Sequence, residues 1–237
     1  MHAIYDDHDF GMDDCIPGSV INFPKWKKPV LSNFNKNWNN PPVGGGLENL
    51  GCWQTFTLGQ VQVIMLDCRY YRDRKKKSML GPVQKKWLFK TLNESEATFK
   101  IIASSVPFSA GIKPGSKDPW DGYPEEREEI FRFIEKEKIE GVVLLAADRH
   151  RIDLRKTKRP EGYDLFEFVS GRLTNRHVHS VIKTDGLIWG YNETCGYCLL
   201  HFDTKAKKPQ VKLEAYDNKG KLLFAQKISA QDLRFEN

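Results

Sequence analysis

Gly141-Val142-Val143-Leu144-Leu145-Ala146-Ala147-Asp148-Arg149-His150 is an apolar run that ends in an acid, a base and an imidazole. A short continuous apolar run bounded by polar residues reads as a strand buried on both faces. Such strands belong to α/β sheets, where ligand sites sit beyond the carboxyl ends of the strands. The decapeptide therefore predicts a fold class, and it places chemistry at Asp148, Arg149 and His150.

The flanking sequence supports that reading. Residues 124–138 read as a helix, with Glu125, Glu126, Glu128 and Glu129 near its amino end, where the helix dipole favours acids, and Ile130, Phe133 and Ile134 facing inward. Residues 99–106 read as a second buried strand. Residues 80–93 read as a helix with an apolar face of Leu80, Val83, Trp87, Leu88 and Leu92, and with Pro82 in its first turn. Residues 53–67 read as a hairpin turning at Gly59-Gln60, whose second strand leads to Asp67-Cys68-Arg69. Beyond residue 163 the chain reads as strands at 163–169, 194–203, 209–216 and 221–228. Residues 12–55, with five prolines and Gly44-Gly45-Gly46, read as a long loop that covers a surface or a site. No internal repeat or domain boundary is visible.

Composition limits the function classes. The 237 residues are 40% hydrophobic and 29% charged, enough for one packed core. No apolar run reaches the roughly 18 residues of a membrane span, and no signal-peptide pattern is visible. The net charge of +6 suits anionic substrates but falls short of a nucleic-acid signature. The basic stretches 72–77, 155–159 and 205–208 are separated and lack interleaved aromatics, so nucleic-acid binding is not expected. Five cysteines do not form a disulfide framework. Cys195-Gly196-Tyr197-Cys198 has redox spacing, but it runs into a strand and reads as packing.

A second chemical cluster lies near the amino end. Ala3-Ile4-Tyr5 reads as the end of a strand, followed by Asp6-Asp7-His8-Asp9 and a permissive Gly11. Set beside Asp148 and His150, this stretch offers carboxylate and imidazole ligands for two divalent or trivalent metal ions. An imidazole free of metal, such as His8, can protonate a leaving group. Arg69 and Arg149 present planar donor forks suited to phosphate. Each feature also has a plain reading: a solvated acidic loop, a surface ion pair at 148–150, a local Asp67–Arg69 salt bridge. His177 and His179 read as loop polar residues rather than a metal pair.

Five blocks then resemble the PhoD-like alkaline phosphatases of the calcineurin-like metallophosphoesterase superfamily. Tyr5-Asp6-Asp7-His8-Asp9 resembles W-D-D-H-[DE], and Leu66 through Asp73 resembles L-D-x-R-x-x-R-D. Leu80 through Leu88 resembles L-G-x-x-Q-x-x-W-L, Trp120 through Arg127 resembles W-D-x-[FY]-P-x-E-R, and Gly141 through His150 resembles G-V-V-x-L-x-G-D-R-H. The resemblance implies a four-layer α/β sandwich, two mixed sheets flanked by helices, with a dinuclear site at its edge that hydrolyses phosphate mono- or diesters. By position it implies Asp7, Asp148 and His150 as metal ligands and His8 as the catalytic histidine, with Arg69 and Arg149 beside them. The ions would be divalent or mixed di- and trivalent, with Fe, Ca, Mn and Zn not distinguished. The partner would be a small phosphate ester, and the resemblance suggests export.

The chain departs from the pattern in three places. Residues 101–107 carry no histidine where the superfamily has one. Ala147 replaces a glycine. The D-x-[HD] and G-D motifs that precede W-D-D-H-D are absent, so residues 1–237 are expected to be the C-terminal two-thirds of one such domain, incomplete at its amino end. The alternative is an inactive truncated homologue that serves as a binding or structural protein.

Overall fold

In a computed structural model the chain is described over residues 1–174 and 176–236. Two short elements come first, helix α1 (Asp7–Phe10) and helix α2 (Lys27–Asn37). Hairpin β1 (Gln54–Leu58) and β2 (Val61–Met65) follows, then α3 (Gly81–Asn93), β3 (Phe99–Ala103), α4 (Pro124–Lys136) and β4 (Val142–Ala146). The remainder is β5 (Ile152–Thr157), β6 (Leu165–Val169), β7 (Leu187–Tyr191), β8 (Gly196–Asp203), β9 (Gln210–Asp217) and β10 (Leu222–Ser229).

Seven strands form one mixed sheet in the order β1-β2-β3-β4-β6-β5-β7. Its centre is parallel, β2 with β3, β3 with β4 and β4 with β6. The two margins are antiparallel. The apolar run after Gly141 forms β4, and Val142, Val143 and Leu144 are fully buried in mid-sheet. A smaller antiparallel sheet, β10-β9-β8, packs with the large one in a shared core. Phe99 of β3 meets Phe202 of β8 with ring centroids 5.4 Å apart. Helices α3 and α4 join the same core and meet through Phe89 stacked on Phe133 at 4.1 Å. Ile130 and Ile134 are buried as expected, whereas Val83 is 40% exposed because it falls off the packed face of α3.

Several readings change. Burial alternates along β8, so one face of the small sheet meets solvent. The expected layered α/β arrangement of two sheets flanked by helices is present, with the smaller sheet antiparallel throughout rather than mixed. Ala3-Ile4-Tyr5 is not a strand; Tyr5 is buried in a second, aromatic core with Phe10, Leu31, Trp53 and Tyr70. Within the expected loop 12–55 lies α2. Its Pro29 sits in the first turn, where a missing N–H breaks no helical bond, and Leu31 anchors the helix in the aromatic core.

Strands β5 and β7 were also not foreseen. The sequence of β5 alternates apolar and charged residues, which suggests a solvated edge. Yet Asp153 and Arg155 are fully buried, with Asp153 accepting from Arg155 Nε at 2.9 Å and from Arg151 Nε at 3.0 Å. The basic residues at 155 and 72 are therefore interior and unavailable to a nucleic acid.

Candidate metal and phosphate site

Asp7 and Asp148 are far apart in sequence and line one cleft of about 820 Å³. The cleft lies beyond the carboxyl end of β4, against α1, the start of β8 and the segment around residues 171–179. His8 and His150 line it as well, so four of the six residues singled out from sequence converge.

Backbone geometry explains how α1 presents its acids. The Asp6 N–H donates to the Asp9 carboxylate at 3.1 Å, and Phe10 N–H donates to the Asp6 carbonyl at 3.0 Å. Asp7 is buried; its two oxygens accept from the backbone N–H groups of His8 and Asp14, each at 2.8 Å. That fixes the carboxylate's direction while leaving lone pairs toward the cleft. His8 stands in the open, its side chain 76% exposed, with Nε2 3.4 Å from Asp13 Oδ1. Asp7, His8 and Asp13 each offer a ligand atom within 4.8 Å of the others.

On the opposite wall, Asp148 has φ +66° and His150 φ +47°. Left-handed backbone is costly for residues with a Cβ and tends to persist at functional sites. Arg172 (φ +39°) and Asp14 (φ +52°) line the same cleft. His150 meets His177 and His179 with ring centroids 5.4 and 5.1 Å away, and their ligand nitrogens all lie within 4.8 Å of one another. Burial holds the His150 imidazole below its ordinary range; burial, helped by Arg149 and the two neighbouring rings, pushes His179 down to about 4. Both rings are thus neutral at neutral pH, the form that ligates metal.

The carboxylates face each other as well as the solvent. Burial pushes Asp6 up to about 6, against the pull of Arg69, with Asp148 and Asp7 adding like-charge repulsion. Burial also raises Asp148, with Asp118 adding to it, while Lys113 and Arg149 oppose. Clustered acids that resist ionisation together are what a polycation would relieve. The donors present, carboxylate oxygens of Asp7, Asp13 and Asp148 and imidazoles of His8, His150, His177 and His179, fit metal ions.

Two expected residues do not reach the cleft. Arg69 is fully buried, its Nε donating to Asp6 at 2.6 Å and its Nη1 to Asp118 at 2.7 Å. It therefore positions Asp6 and has no free fork for phosphate. Arg149 is also buried and turns Nη1 onto Asp148 at 3.2 Å. The Asp67–Arg69 salt bridge is absent too: Asp67 accepts from the backbone of Cys52, Arg69 and Tyr70 and from the Tyr5 hydroxyl, shaping the turn after β2.

The cations that do line the cleft are Lys113, 3.0 Å from Asp14, and Arg172. Neither was singled out from sequence. Lys113 sits in a Gly/Pro-rich loop and Arg172 follows β6, with no motif around either. His177 and His179 carried a signal in their alternate spacing, but nothing in the chain order ties them to His150. Burial pushes the Cys198 thiol up to about 11, which suits packing rather than redox chemistry.

Comparison with known proteins agrees with this architecture. The PhoD-like phosphatase family matches residues 38–227. Alkaline phosphatase D of Bacillus subtilis (strain 168) is 30% identical over 185 residues, covering 61% of this chain and 31% of that protein. A solved structure of PhoD superposes with a TM-score of 0.59 at 20% identity, covering 94% of this chain and 54% of its own. The chain thus spans about a third of the curated relative's length and about half of the solved structure's. With the family match covering most of its length, the chain belongs to the PhoD-like phosphatase family.

Proposed function

We propose that the cleft hydrolyses phosphate mono- or diesters with the aid of bound metal ions. The observation that carries this reading is the convergence of Asp7 with Asp148 and His150 on one cleft that also holds Lys113 and Arg172. Asp7, Asp148 and His150 would hold the metal. When bound, such ions polarise phosphoryl oxygens and acidify water.

The chain's own residues have distinct tasks in this reading. Lys113 and Arg172 neutralise the phosphate's outer charge as it enters. The exposed His8 imidazole, paired with Asp13, hands a proton to the departing oxygen. Arg69 keeps Asp6 against the cleft floor, and Arg149 steadies Asp148. A small phosphate ester fits the cleft volume. Among the described residues no helix is long and apolar enough to cross a membrane, and export belongs to the same proposal.

The test is turnover of a chromogenic phosphodiester and the matching monoester by the 237-residue chain, with and without added Mn2+, Ca2+, Zn2+ or Fe3+. Metal-dependent turnover that chelator abolishes, and that Asp7→Asn and His150→Ala each lower by at least about 100-fold, is expected; that loss corresponds to about 2.7 kcal/mol of transition-state stabilisation. No turnover with any metal overturns the reading.

A further inference from the structure

We propose that the turn at residues 20–23, the start of α2 and the neighbouring Lys75 and Lys76 form a docking surface for an anionic lipid bilayer, on which the protein lies without crossing it. Residues 15–47 include Lys25, Lys27, Lys28 and Lys36 and not one acid. Large apolar side chains stand in solvent beside those cations: Val20 is 59% and Phe23 63% exposed, and Trp26 is partly so. Contiguous exposed apolar groups mark an interaction surface.

The fold holds this surface from beneath. Lys27 is fully buried; its Nζ donates to the carbonyls of Gly18 at 2.9 Å and Val20 at 3.0 Å and lies 4.4 Å from the centre of the Tyr70 ring. The Phe23 N–H donates to the Val20 carbonyl at 3.3 Å and closes the turn that presents both side chains. The Ser19 hydroxyl donates to Asp73 at 2.8 Å across 54 positions of sequence. The same carboxylate accepts from the backbone N–H groups of Lys75 at 3.0 Å and Lys76 at 3.2 Å. One acid, turned onto its own loop, thus ties the apolar turn to two further lysines. An apolar groove of about 230 Å³ borders both segments, lined by Ser19, Tyr71, Lys76, Leu80, Pro82 and Val83.

The chemistry selects the partner. Lys25, Lys28, Lys75 and Lys76 are exposed, and among the described residues none forms an ion pair. Lysines with aromatic and aliphatic groups between them match a bilayer interface, where ammonium groups meet anionic headgroups and apolar side chains enter the acyl boundary. Tryptophan favours the headgroup level. A soluble polyanion supplies the charge but no apolar phase for Val20 and Phe23. A second copy of this chain would set lysine against lysine. None of these residues lines the acidic cleft, so the surface is separate from the proposed reaction.

Cosedimentation of the 237-residue chain with vesicles tests this without any substrate or metal. Vesicles of phosphatidylglycerol mixed with phosphatidylcholine should bind the chain, and should release it as salt rises; phosphatidylcholine alone should bind it at least about 10-fold more weakly. The pair Lys25→Gln with Lys28→Gln should weaken binding by about 10-fold or more, because each lysine near an anionic surface adds attraction. Phe23→Ser should do so by about 10-fold through loss of one inserted apolar side chain. The pair Lys158→Gln with Lys208→Gln removes the same charge from exposed sites elsewhere and should leave binding unchanged. Absence of binding to the phosphatidylglycerol vesicles overturns the proposal. So does an equal loss with the Lys158 and Lys208 pair, which would assign binding to net charge. Binding that Phe23→Ser leaves intact also overturns it, because attachment through charge alone describes a polyanion site.

Discussion

Arg69 Nε meets Asp6 Oδ1 at 2.6 Å across 63 residues of sequence, a fully buried guanidinium holding an acid that lines the cleft. The same guanidinium donates to Asp118, which also receives Arg72. One buried carboxylate thus braces two arginines, and one of those arginines carries the amino-terminal acidic segment into place.

Breaking this brace should unfold the chain more readily than any surface change. Asp118→Asn leaves two buried guanidiniums short of a counter-charge, and removal of one partner from a buried pair costs about 3–5 kcal/mol. Arg69→Met should cost a similar amount, and the double variant should cost less than the sum, because each change removes the same interaction. Urea denaturation of the two single variants and the double measures this. Strict additivity would show that the residues act independently.

The same carboxylate gives the fold an acid limit. Burial raises Asp118, but Arg72 and Arg69 outweigh it and hold the group below its ordinary value of 3.8. A folded-state pKa below the unfolded one contributes stability that is fully present above about pH 3.8, and that is lost as pH falls through the depressed value. Asp118→Asn should therefore flatten the acid limb of the stability–pH curve below about pH 4. Denaturant midpoints at successive pH values check it; an unchanged slope would assign the acid sensitivity to other groups.

Gly141 opens β4 with φ +76°, and a Cβ there would lie 2.0 Å from the Thr98 carbonyl oxygen. Gly141→Ala combines left-handed strain, about 1–3 kcal/mol, with a backbone clash between β3 and β4. A loss of at least about 2 kcal/mol in thermal or urea unfolding is expected. Gly59 also has positive φ (+59°) but no atom within 4 Å, so Gly59→Ala should cost only the strain.

Lys113 supplies charge at the cleft mouth and is 24% exposed. If it receives phosphate oxygens, Lys113→Met should raise KM by about 10-fold or more, the worth of one hydrogen bond to a charged group, with kcat little changed. Steady-state kinetics at two salt concentrations separate this from a fold defect, because only wild type should lose affinity as salt rises. A change confined to kcat would place Lys113 in the chemistry instead.

Much of the fold was legible in the chain. Hydrophobic periodicity exposed α3, α4, β2, β3, β4 and the three strands of the small sheet, because each buries a regular face. It missed β5, whose interior is lined by Arg151, Asp153 and Arg155, since a buried ion network has the pattern of a solvated edge. It missed α2 because prolines and asparagines outweighed one apolar turn.

For the site, residue chemistry and order in the sequence singled out Asp7, His8, Asp148 and His150, because residue type and local spacing are sequence properties. Whether a side chain faces a cleft is not. Arg69 and Arg149 share their motifs with these residues, yet both guanidiniums turn inward, since Asp118 and Asp6 neutralise the first and Asp148 receives the second. His177, His179, Lys113 and Arg172 reach the cleft only because the segments around 113 and 171–179 fold over the end of β4. Those contacts join residues with no fixed sequence separation, so tertiary packing alone decides them.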